Sequence, residues 1–188
     1  MVSDRFILSQ SSIPGLWLAE RKIVKDNRGI FRKLFCAEEF FRVGINKPIV
    51  QINHSTTRTK GTVRGLHFQY PPHAETRIIS CLKGAVFDVA VDLRKGSKTF
   101  LSWHGEKLSS ENRKSLIIPE GFAHGFQTLT DDCELIYFHT GVYVPESEGG
   151  FNVEDKRIAV DWQLPVNCLS ERDKNLPFIN NTYKGVAL

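Results

Sequence analysis

Short runs in which apolar and polar side chains alternate constrain the fold of this chain more than any other feature. Between 78 and 93, Phe87 and Val89 project to one side of an extended strand and Asp88 projects to the other, with a turn at 83–84. Further strands are predicted at 49–53, 62–68, 115–118, 123–129 and 134–143, each bounded by Gly, Pro, Asp or Ser. Many short strands at close spacing predict a mainly all-β protein, an antiparallel sandwich or barrel.

Helical signals are few. Short turns of helix are predicted at 37–43, 109–113 and 170–174. There is no internal repeat, low-complexity segment or Pro/Ser-rich linker, so the 188 residues predict a single domain. Its core is expected at about 45–145, with N-terminal strands and a C-terminal segment packed on it.

Charge and hydropathy exclude two classes of partner. The net charge of +4 is mild, and the densest basic group (Arg58, Lys60 and Arg64) is interleaved with small residues, which argues against a nucleic-acid surface. It favours a local positive site for a small anionic ligand. The apolar runs are too short to span a bilayer, and no export signal is recognised, so a cytoplasmic protein without membrane contact is expected.

The four cysteines predict no chemistry. Cys36, Cys81, Cys133 and Cys168 are scattered and form no C-x-x-C pair, so reduced thiols are expected. Cys81 lies in an apolar stretch and is expected to be a core residue.

Two histidines in glycine-punctuated β segments are the first candidates for chemistry. His67 lies in 61–69 and His124 in 117–126, while a third polar segment, 169–174, supplies acids. A lone histidine is more often structural, but a neutral imidazole held by a carboxylate is a good proton acceptor. The residues alone leave three possible orienting acids, Asp88, Asp92 and Asp173, and two possible proton donors, Tyr137 and Tyr143.

Three arginines beside small or turn-forming residues are candidates for anion binding. Arg28, Arg64 and Arg77 have planar, permanently charged guanidinium groups that can bind phosphate or carboxylate through paired hydrogen bonds. The usual role of an arginine is nevertheless a surface salt bridge. Arg64, between Val63 and Gly65, fits that usual role least well because its neighbours predict a partly buried strand.

Nearly the whole chain, in order, resembles the dTDP-4-dehydrorhamnose 3,5-epimerase family of the cupin superfamily. The matching blocks are DNRGIF (26–31), QINHST (51–56), GTVRGLHFQ (61–69), GAVFDVAVDLRKGSKTF (84–100), IIPEGFAHGFQTL (117–129), ELIYFHTGVYVPESEGGF (134–151), the VDW end of 155–162 and LSERD (169–173). The combination of RGLHxQ with PxGFAHGF is specific. The resemblance implies a cupin-type jelly-roll β-barrel with a few short helices, assembled as a homodimer.

The resemblance also implies roles for individual residues. His67 matches the general base, Asp173 the carboxylate that orients it, Tyr137 the acid on the other face of the sugar, and Arg77 a cation near the reacting oxygen. Asp88 matches the partner of His124. Substrate-lining matches are Arg28, Phe31, Gln51, Asn53, Arg64, His124 and Tyr143. Among them, Arg64 and Arg28 match the diphosphate contacts, with Arg28 offered by the neighbouring subunit.

The implied reaction inverts C3, C5 or both in a nucleotide-linked 4-keto-6-deoxyhexose, by proton transfer through an enolate and without metal or other cofactor. The favoured conversion is dTDP-4-dehydro-6-deoxy-D-glucose to dTDP-4-dehydro-L-rhamnose, in deoxysugar supply for polysaccharides such as lipopolysaccharide. The dinucleotide fingerprint GxGxxG is absent from the sequence.

Two departures and two rival interpretations stay open. The family usually has lysine at the position of Arg77, which leaves the enolate-stabilising role of this residue open. It also usually has glutamate at the position of Lys33, which leaves CDP or GDP as alternatives to dTDP. One rival is a metal-dependent cupin oxygenase or isomerase with ligands at His67, Gln69, Glu75 and His124, although an amide oxygen is a weak ligand for transition metals. The other is a sugar-binding cupin without activity.

Overall fold

A computed structural model describes residues 4–188. Its strands are β1 (Phe6–Gln10), β2 (Trp17–Arg21), β3 (Ile23–Asp26), β4 (Gly29–Arg32), β5 (Gln51–Thr57), β6 (Val63–Gln69), β7 (Arg77–Lys83), β8 (Ala85–Asp92), β9 (Trp103–Ser109), β10 (Lys114–Ile118), β11 (Phe122–Thr128), β12 (Cys133–His139) and β13 (Glu148–Gly150). The helices are α1 (Ala37–Phe41) and α2 (Glu171–Lys174), with a 3-10 turn at Pro145–Ser147. Within residues 4–188, neither helix has the length or apolar character that crossing a membrane requires.

The strands form two antiparallel sheets and a separate hairpin. One sheet has the order β1-β2-β10-β7-β12-β5 and the other the order β13-β6-β11-β8-β9, while β3 and β4 pair only with each other. Neighbouring strands in the sequence therefore often lie in different sheets, as in a jelly-roll barrel. This arrangement confirms the prediction of a mainly all-β, antiparallel fold with short helices.

Apolar side chains fill the space between the two sheets. Ile79 and Leu135 from the six-stranded sheet cluster with Ala90 and Phe126 from the five-stranded sheet, and all four are buried. The outer face of the five-stranded sheet is also covered, because the chain from 151 to 186 packs on it through residues such as Phe151, Ile158 and Ile179. All eight residues of β8 are buried as a result. A smaller cluster around Phe40 of α1 covers the outer face of the six-stranded sheet.

The apolar face of β8 packs against the covering segment, so the face that carries Asp88 turns toward the space between the sheets. Asp88 and Asp92 both have an accessible fraction of 0% and lie inside the protein, although an alternating strand usually places such residues in water. Each is compensated by a partner, His124 for Asp88 and Arg94 for Asp92. Buried carboxylates need such partners, so the polar face of this strand is built for contacts rather than for solvent.

Some predicted boundaries were wrong. The helical turn expected at 109–113 is the connection between β9 and β10, in which Ser109 and Asn112 bond each other's backbone N–H groups. The strand expected at 134–143 ends at His139, so Tyr143 lies in the loop beyond it. Strands β9 and β13 were not predicted, since neither segment shows a clear apolar–polar alternation.

Candidate active site

A cavity of about 710 Å³ opens between the two sheets. Seven of the predicted site residues line it: Asn53, Arg64, His67, Arg77, His124, Tyr137 and Asp173. They come from β5, β6, β7, β11, β12 and α2, so the site exists only once both sheets and the C-terminal segment have assembled.

A bulge in β6 brings Arg64 and His67 into the same cavity. Residues three apart in a regular strand face opposite sides, but the pairing of β6 with β11 shifts register between the His67 and Arg64 positions. At the bulge, Gly65 has φ +132°, and a Cβ there would lie 2.6 Å from the Cα of Gly125. Glycine at both positions therefore permits the close approach that turns the two side chains to one side.

His67 is held by Asp173. Its Nε2 lies 2.7 Å from Oδ1 of Asp173, and the other carboxylate oxygen, Oδ2, accepts a longer bond of 3.4 Å from the Gly65 backbone N–H. Ser170 caps the single turn of α2 by accepting from the Asp173 N–H at 3.0 Å, which fixes the position of Asp173. Because the carboxylate accepts from Nε2, the basic nitrogen of the neutral imidazole is Nδ1.

The Asp173 carboxylate is the ionised partner of this pair. Burial alone would raise its pKa, but the hydrogen bond and charge of His67, with bonds from Gly65 and Ser170, hold the pKa below the ordinary aspartate value. An ionised carboxylate in this position is able to stabilise an imidazolium at His67.

A second histidine–aspartate pair lies beside the first. His124 of β11 is in register with His67 of β6, and its Nε2 lies 2.5 Å from Asp88 of β8. Asp88 is fully buried, and burial raises its pKa while the contact with His124 opposes the rise. His124 lines the cavity and Asp88 lies behind it, so the contact fixes one polar side chain of the cavity wall.

Tyr137 occupies the opposite wall. It projects from β12 of the six-stranded sheet, and its hydroxyl lies 3.0 Å from the Ser55 hydroxyl. Burial raises the pKa of Tyr137 well above the ordinary phenol value, so its hydroxyl keeps its proton at neutral pH. Tyr143, the other candidate donor, is 51% exposed outside this cavity and donates to Glu148 at 2.6 Å.

The two predicted arginines that line the cavity differ in their partners. Arg64 donates to the Thr57 hydroxyl at 3.0 Å and to the Thr56 carbonyl at 3.4 Å, and among residues 4–188 it pairs with no carboxylate. Its charge is therefore available to an anion. Arg77 instead donates to Glu75 at 2.9 Å and to the His67 carbonyl at 3.0 Å.

Five predicted site residues lie outside the cavity lining, one of them Asp88 behind His124. Arg28 and Phe31 are on the β3–β4 hairpin, where Phe31 is 66% exposed and Arg28 forms an ion pair with Asp26. Gln51 lies at the start of β5 and accepts from the Tyr143 backbone N–H at 3.0 Å. Tyr143 and Gln51 therefore brace each other near the rim rather than within the cavity.

Sequence reasoning missed His139, which also lines the cavity. Its Nδ1 lies 2.9 Å from Glu75, and its ring stacks at 6.2 Å from that of Tyr137. The signal was present, because positions 137 and 139 share a face of any regular strand. Glu148 and Arg172, joined by a 2.5 Å ion pair, were also missed, and they contact the cavity from β13 and α2.

The four donors of the metal-dependent alternative have other partners. His67 and His124 are engaged by their aspartates, and Glu75 by Arg77 and His139. The amide of Gln69 is saturated by backbone groups of His73, Val142 and Val144. In the part of the chain that the structure describes, no three His, Cys, Asp or Glu side chains group closely enough to hold a metal ion.

A jelly-roll barrel whose cavity combines two aspartate-bound histidines with a partly buried tyrosine is typical of a cupin-like enzyme that moves protons. The family model for dTDP-4-dehydrorhamnose 3,5-epimerase matches residues 10–181. The chain belongs to this family, which confirms the resemblance noted from the sequence, and it is an epimerase of the isomerase class.

Individual relatives cover almost the whole chain. The dTDP-4-dehydrorhamnose 3,5-epimerase of Shigella flexneri is 43% identical over 167 residues, covering 88% of this chain and 92% of its own. The crystal structure of the Elizabethkingia anophelis enzyme of that name superposes with a TM-score of 0.89 at 36% identity, over 95% of this chain and 99% of its own. The Legionella pneumophila dTDP-6-deoxy-D-glucose-3,5-epimerase, solved with dTDP-4-keto-L-rhamnose, has a TM-score of 0.87 at 40% identity over 92% of each chain.

Proposed function

We propose that this enzyme inverts C3, C5 or both in a nucleotide-linked 4-keto-6-deoxyhexose, with dTDP-4-dehydro-6-deoxy-D-glucose as the favoured substrate. One observation carries the proposal: His67, held by Asp173, faces Tyr137 across a single cavity. Inverting a carbon centre requires a base on one face of the sugar and an acid on the other, and the two sheets supply one each.

The proton transfers follow from this placement. The C4 ketone acidifies the hydrogens on C3 and C5, and Nδ1 of His67 removes one, leaving an enolate with negative charge on O4. The Tyr137 hydroxyl returns a proton to the carbon from the opposite face, which inverts the centre. Arg77 is the cation on the same wall that stabilises the charge on O4.

Arg64 is the expected diphosphate contact. Among residues 4–188 it is the arginine of the cavity without a carboxylate partner. Its hydrogen bonds to the Thr57 hydroxyl and the Thr56 carbonyl fix the orientation of its guanidinium group. A guanidinium group forms bidentate hydrogen bonds with phosphate oxygens, so this side chain is suited to bind the diphosphate of a nucleotide sugar. The dTDP-sugar in the Legionella relative supports dTDP as the nucleotide.

We also propose a homodimer in which the β3–β4 hairpin reaches the neighbouring subunit. All residues of β3 and most of β4 are exposed, the hairpin joins neither sheet, and its exposed apolar residues include Ile30 and Phe31. In such a dimer Arg28 and Phe31 would complete the partner's cavity. Coexpressing Arg28→Ala and Asp173→Asn subunits tests this, because mixed dimers contain one intact site and should recover activity. No recovery in verified mixed dimers would contradict the swap.

The enzyme is proposed to act in the cytoplasm and to supply deoxysugars, rhamnose above all, for glycan assembly. Its four cysteines are free thiols, which fits a reducing compartment.

The direct test offers dTDP-, CDP- and GDP-linked 4-keto-6-deoxyglucose to the enzyme in D2O and locates the label by NMR. The proposal predicts deuterium at C3, C5 or both with the dTDP sugar, and loss of incorporation in His67→Ala. His104→Ala is the matched control, since His104 lies on the edge strand β9 outside the cavity. Binding without any exchange would indicate a sugar-binding cupin, and stoichiometric metal required for turnover would indicate the metal-dependent alternative.

A further inference from the structure

A carboxylate to which the reaction above gives no role lies behind two cavity-lining residues, Arg77 and His139. Glu75 is buried, with 6% of its side chain accessible, and both of its oxygens are engaged. Oε1 accepts from Arg77, at 2.9 Å from Nε and 2.8 Å from Nη2, while Oε2 lies 2.9 Å from Nδ1 of His139.

The fold brings these three residues together. Arg77 begins β7, His139 ends β12, and the two are paired in register. Glu75 precedes β7 by two residues and approaches the chain just beyond His139 so closely that a Cβ at Gly141 would lie 3.0 Å from the Glu75 Cβ. Glycine at 141 therefore leaves room for the carboxylate to face both partners.

The carboxylate is charged in this setting. Burial would raise the pKa of Glu75, but the bond to His139 and the charge of Arg77 hold it below the ordinary glutamate value. A buried ionised carboxylate with fixed partners on both oxygens has little freedom to move, so it is a rigid anchor.

Arg77 is consequently fixed from two sides. Nε and Nη2 face Glu75, and Nη1 donates at 3.0 Å to the backbone carbonyl of His67, the residue expected to be the base. A guanidinium has more N–H groups than these contacts use, so the remaining ones on Nη1 and Nη2 are free to bind substrate. The contacts therefore fix the position of the cation relative to the base.

We propose that Glu75, braced by His139, is a positioning residue that aims the Arg77 guanidinium at the reacting ketone oxygen. The inference rests on the proposed function, in which Arg77 stabilises the enolate. Glu75 acts through Arg77 and does not itself contact the sugar. His139 completes the hold by occupying the second oxygen and by lying 3.4 Å from the Asn53 amide nitrogen through Nε2.

Replacing the carboxylate with an amide should release Arg77. In Glu75→Gln one of the two accepting oxygens becomes an N–H donor, which repels either the guanidinium or a protonated Nδ1 of His139. Displacement of a catalytic group by about 1 Å can cost on the order of 100-fold in rate, so we expect kcat to fall about ten- to a hundredfold. KM and the Kd for dTDP should change little, because Arg64 and the nucleotide contacts are untouched.

A double-mutant cycle separates positioning from a general effect on the fold. The variants are Glu75→Gln, Arg77→Lys, the double variant, and Glu154→Gln as a matched exposed control. A lysine ammonium cannot reproduce the contact that Nε and Nη2 of Arg77 together make with Glu75. Glu75→Gln should therefore lower kcat little further in the Arg77→Lys background. Equal fractional losses in both backgrounds, or a wild-type kcat in Glu75→Gln, would overturn the proposal.

A folding failure of Glu75→Gln would shift the test to His139→Phe, which frees one carboxylate oxygen while keeping Glu75. A severalfold lower kcat with an unchanged dTDP Kd is expected, and an unchanged kcat would overturn the inference. Deuterium exchange by the wild-type enzyme is measured first. If the wild-type enzyme exchanges deuterium and Glu75→Gln has an unchanged kcat, the positioning role of Glu75 is overturned while the epimerase function stands. If the wild-type enzyme exchanges no deuterium, both the epimerase function and the positioning role are overturned.

Discussion

Asp173 and His67 are separated by 106 positions in the chain, yet the carboxylate of one lies 2.7 Å from the imidazole of the other. The contact joins a one-turn helix near the C-terminal end to a strand in the first half of the chain. The segment that covers the outer face of the five-stranded sheet thus has a second role, because it also delivers the acid that orients the expected base.

Asp173→Asn should abolish most of the activity while leaving the fold in place. The amide keeps the size of the carboxyl group but cannot stabilise an imidazolium, and it can reverse the tautomer of His67. By analogy with histidine–aspartate pairs in hydrolases, we expect kcat to fall about 100- to 10,000-fold. The rate of deuterium incorporation into the dTDP sugar, measured on samples quenched at successive times, gives this fall in activity. Asp161→Asn, at an exposed position, is the control. Turnover within a few-fold of wild type would remove Asp173 from the mechanism.

Tyr137→Phe should separate proton removal from inversion. His67 can still take the proton and return it to the same face, whereas the opposite face has lost its donor. We therefore expect solvent deuterium to enter the sugar with retained configuration and the inverted product to fall at least about 100-fold. NMR that resolves label and configuration in the same sample provides the measurement. Inverted product at the wild-type rate would show that another group supplies the proton.

Arg64→Ala should weaken binding more than chemistry. A hydrogen bond to a charged group contributes about 1.5–3 kcal/mol, which corresponds to a rise in KM of roughly 10- to 150-fold. The Kd for dTDP, measured by calorimetry, should rise by a similar factor while kcat changes little. Arg58→Ala, an exposed arginine before β6, is the control. A large fall in kcat at unchanged KM would instead place Arg64 beside the reacting carbons.

The strand pattern could be predicted because alternation is local, but the site depends on contacts that are not. The run containing Phe87 and Val89 was recognised as a strand, and His67 and His124 stood out in their glycine-rich segments. Nothing local could choose among Asp88, Asp92 and Asp173, because the choice depends on which distant strands become neighbours.

Three structural features could not be predicted from the alternation of apolar and polar residues, each for a different reason. The bulge at Gly65 breaks the two-residue period, so the shared direction of Arg64 and His67 is invisible to alternation. The burial of the polar face of β8 depends on partners from β11 and from the loop after β8. The β3–β4 hairpin has little core pattern because its residues remain exposed in the single chain.

Gly65→Ala should destabilise the protein more than an alanine at a comparable but open glycine. The added Cβ would lie 2.6 Å from the Gly125 Cα at φ +132°, whereas Gly96 has φ +77° and a Cβ added there would meet nothing within 4 Å. We expect a loss of about 2–5 kcal/mol for Gly65→Ala, from strain and overpacking together. Gly96→Ala should lose only the strain component, about 1 kcal/mol. Chemical denaturation of both variants decides this, and equal losses would contradict the close approach of β6 and β11.

Asp92→Asn should be destabilising at neutral pH and progressively less so in acid. Asp92 is buried and accepts from Arg94 at 2.8 Å, Ser97 at 2.6 Å and Thr99 at 2.7 Å. Burial would raise its pKa, but these bonds outweigh it and hold the pKa below the ordinary value of 3.8.

The sign of the pH effect follows from that shift. A carboxyl group with a lower pKa in the folded state contributes stability above its unfolded pKa and loses that contribution as the pH falls through the folded value. Wild type should therefore exceed Asp92→Asn by about 3 kcal/mol near pH 7, since breaking a buried ion pair carries a cost of that order. The difference should shrink below about pH 4, because protonation then removes the same charge from the wild type. Denaturant titrations of both proteins from pH 7 to the acid limit of folding test this, and a gap that widens in acid would mean that Asp92 is not the ionised anchor of the loop after β8.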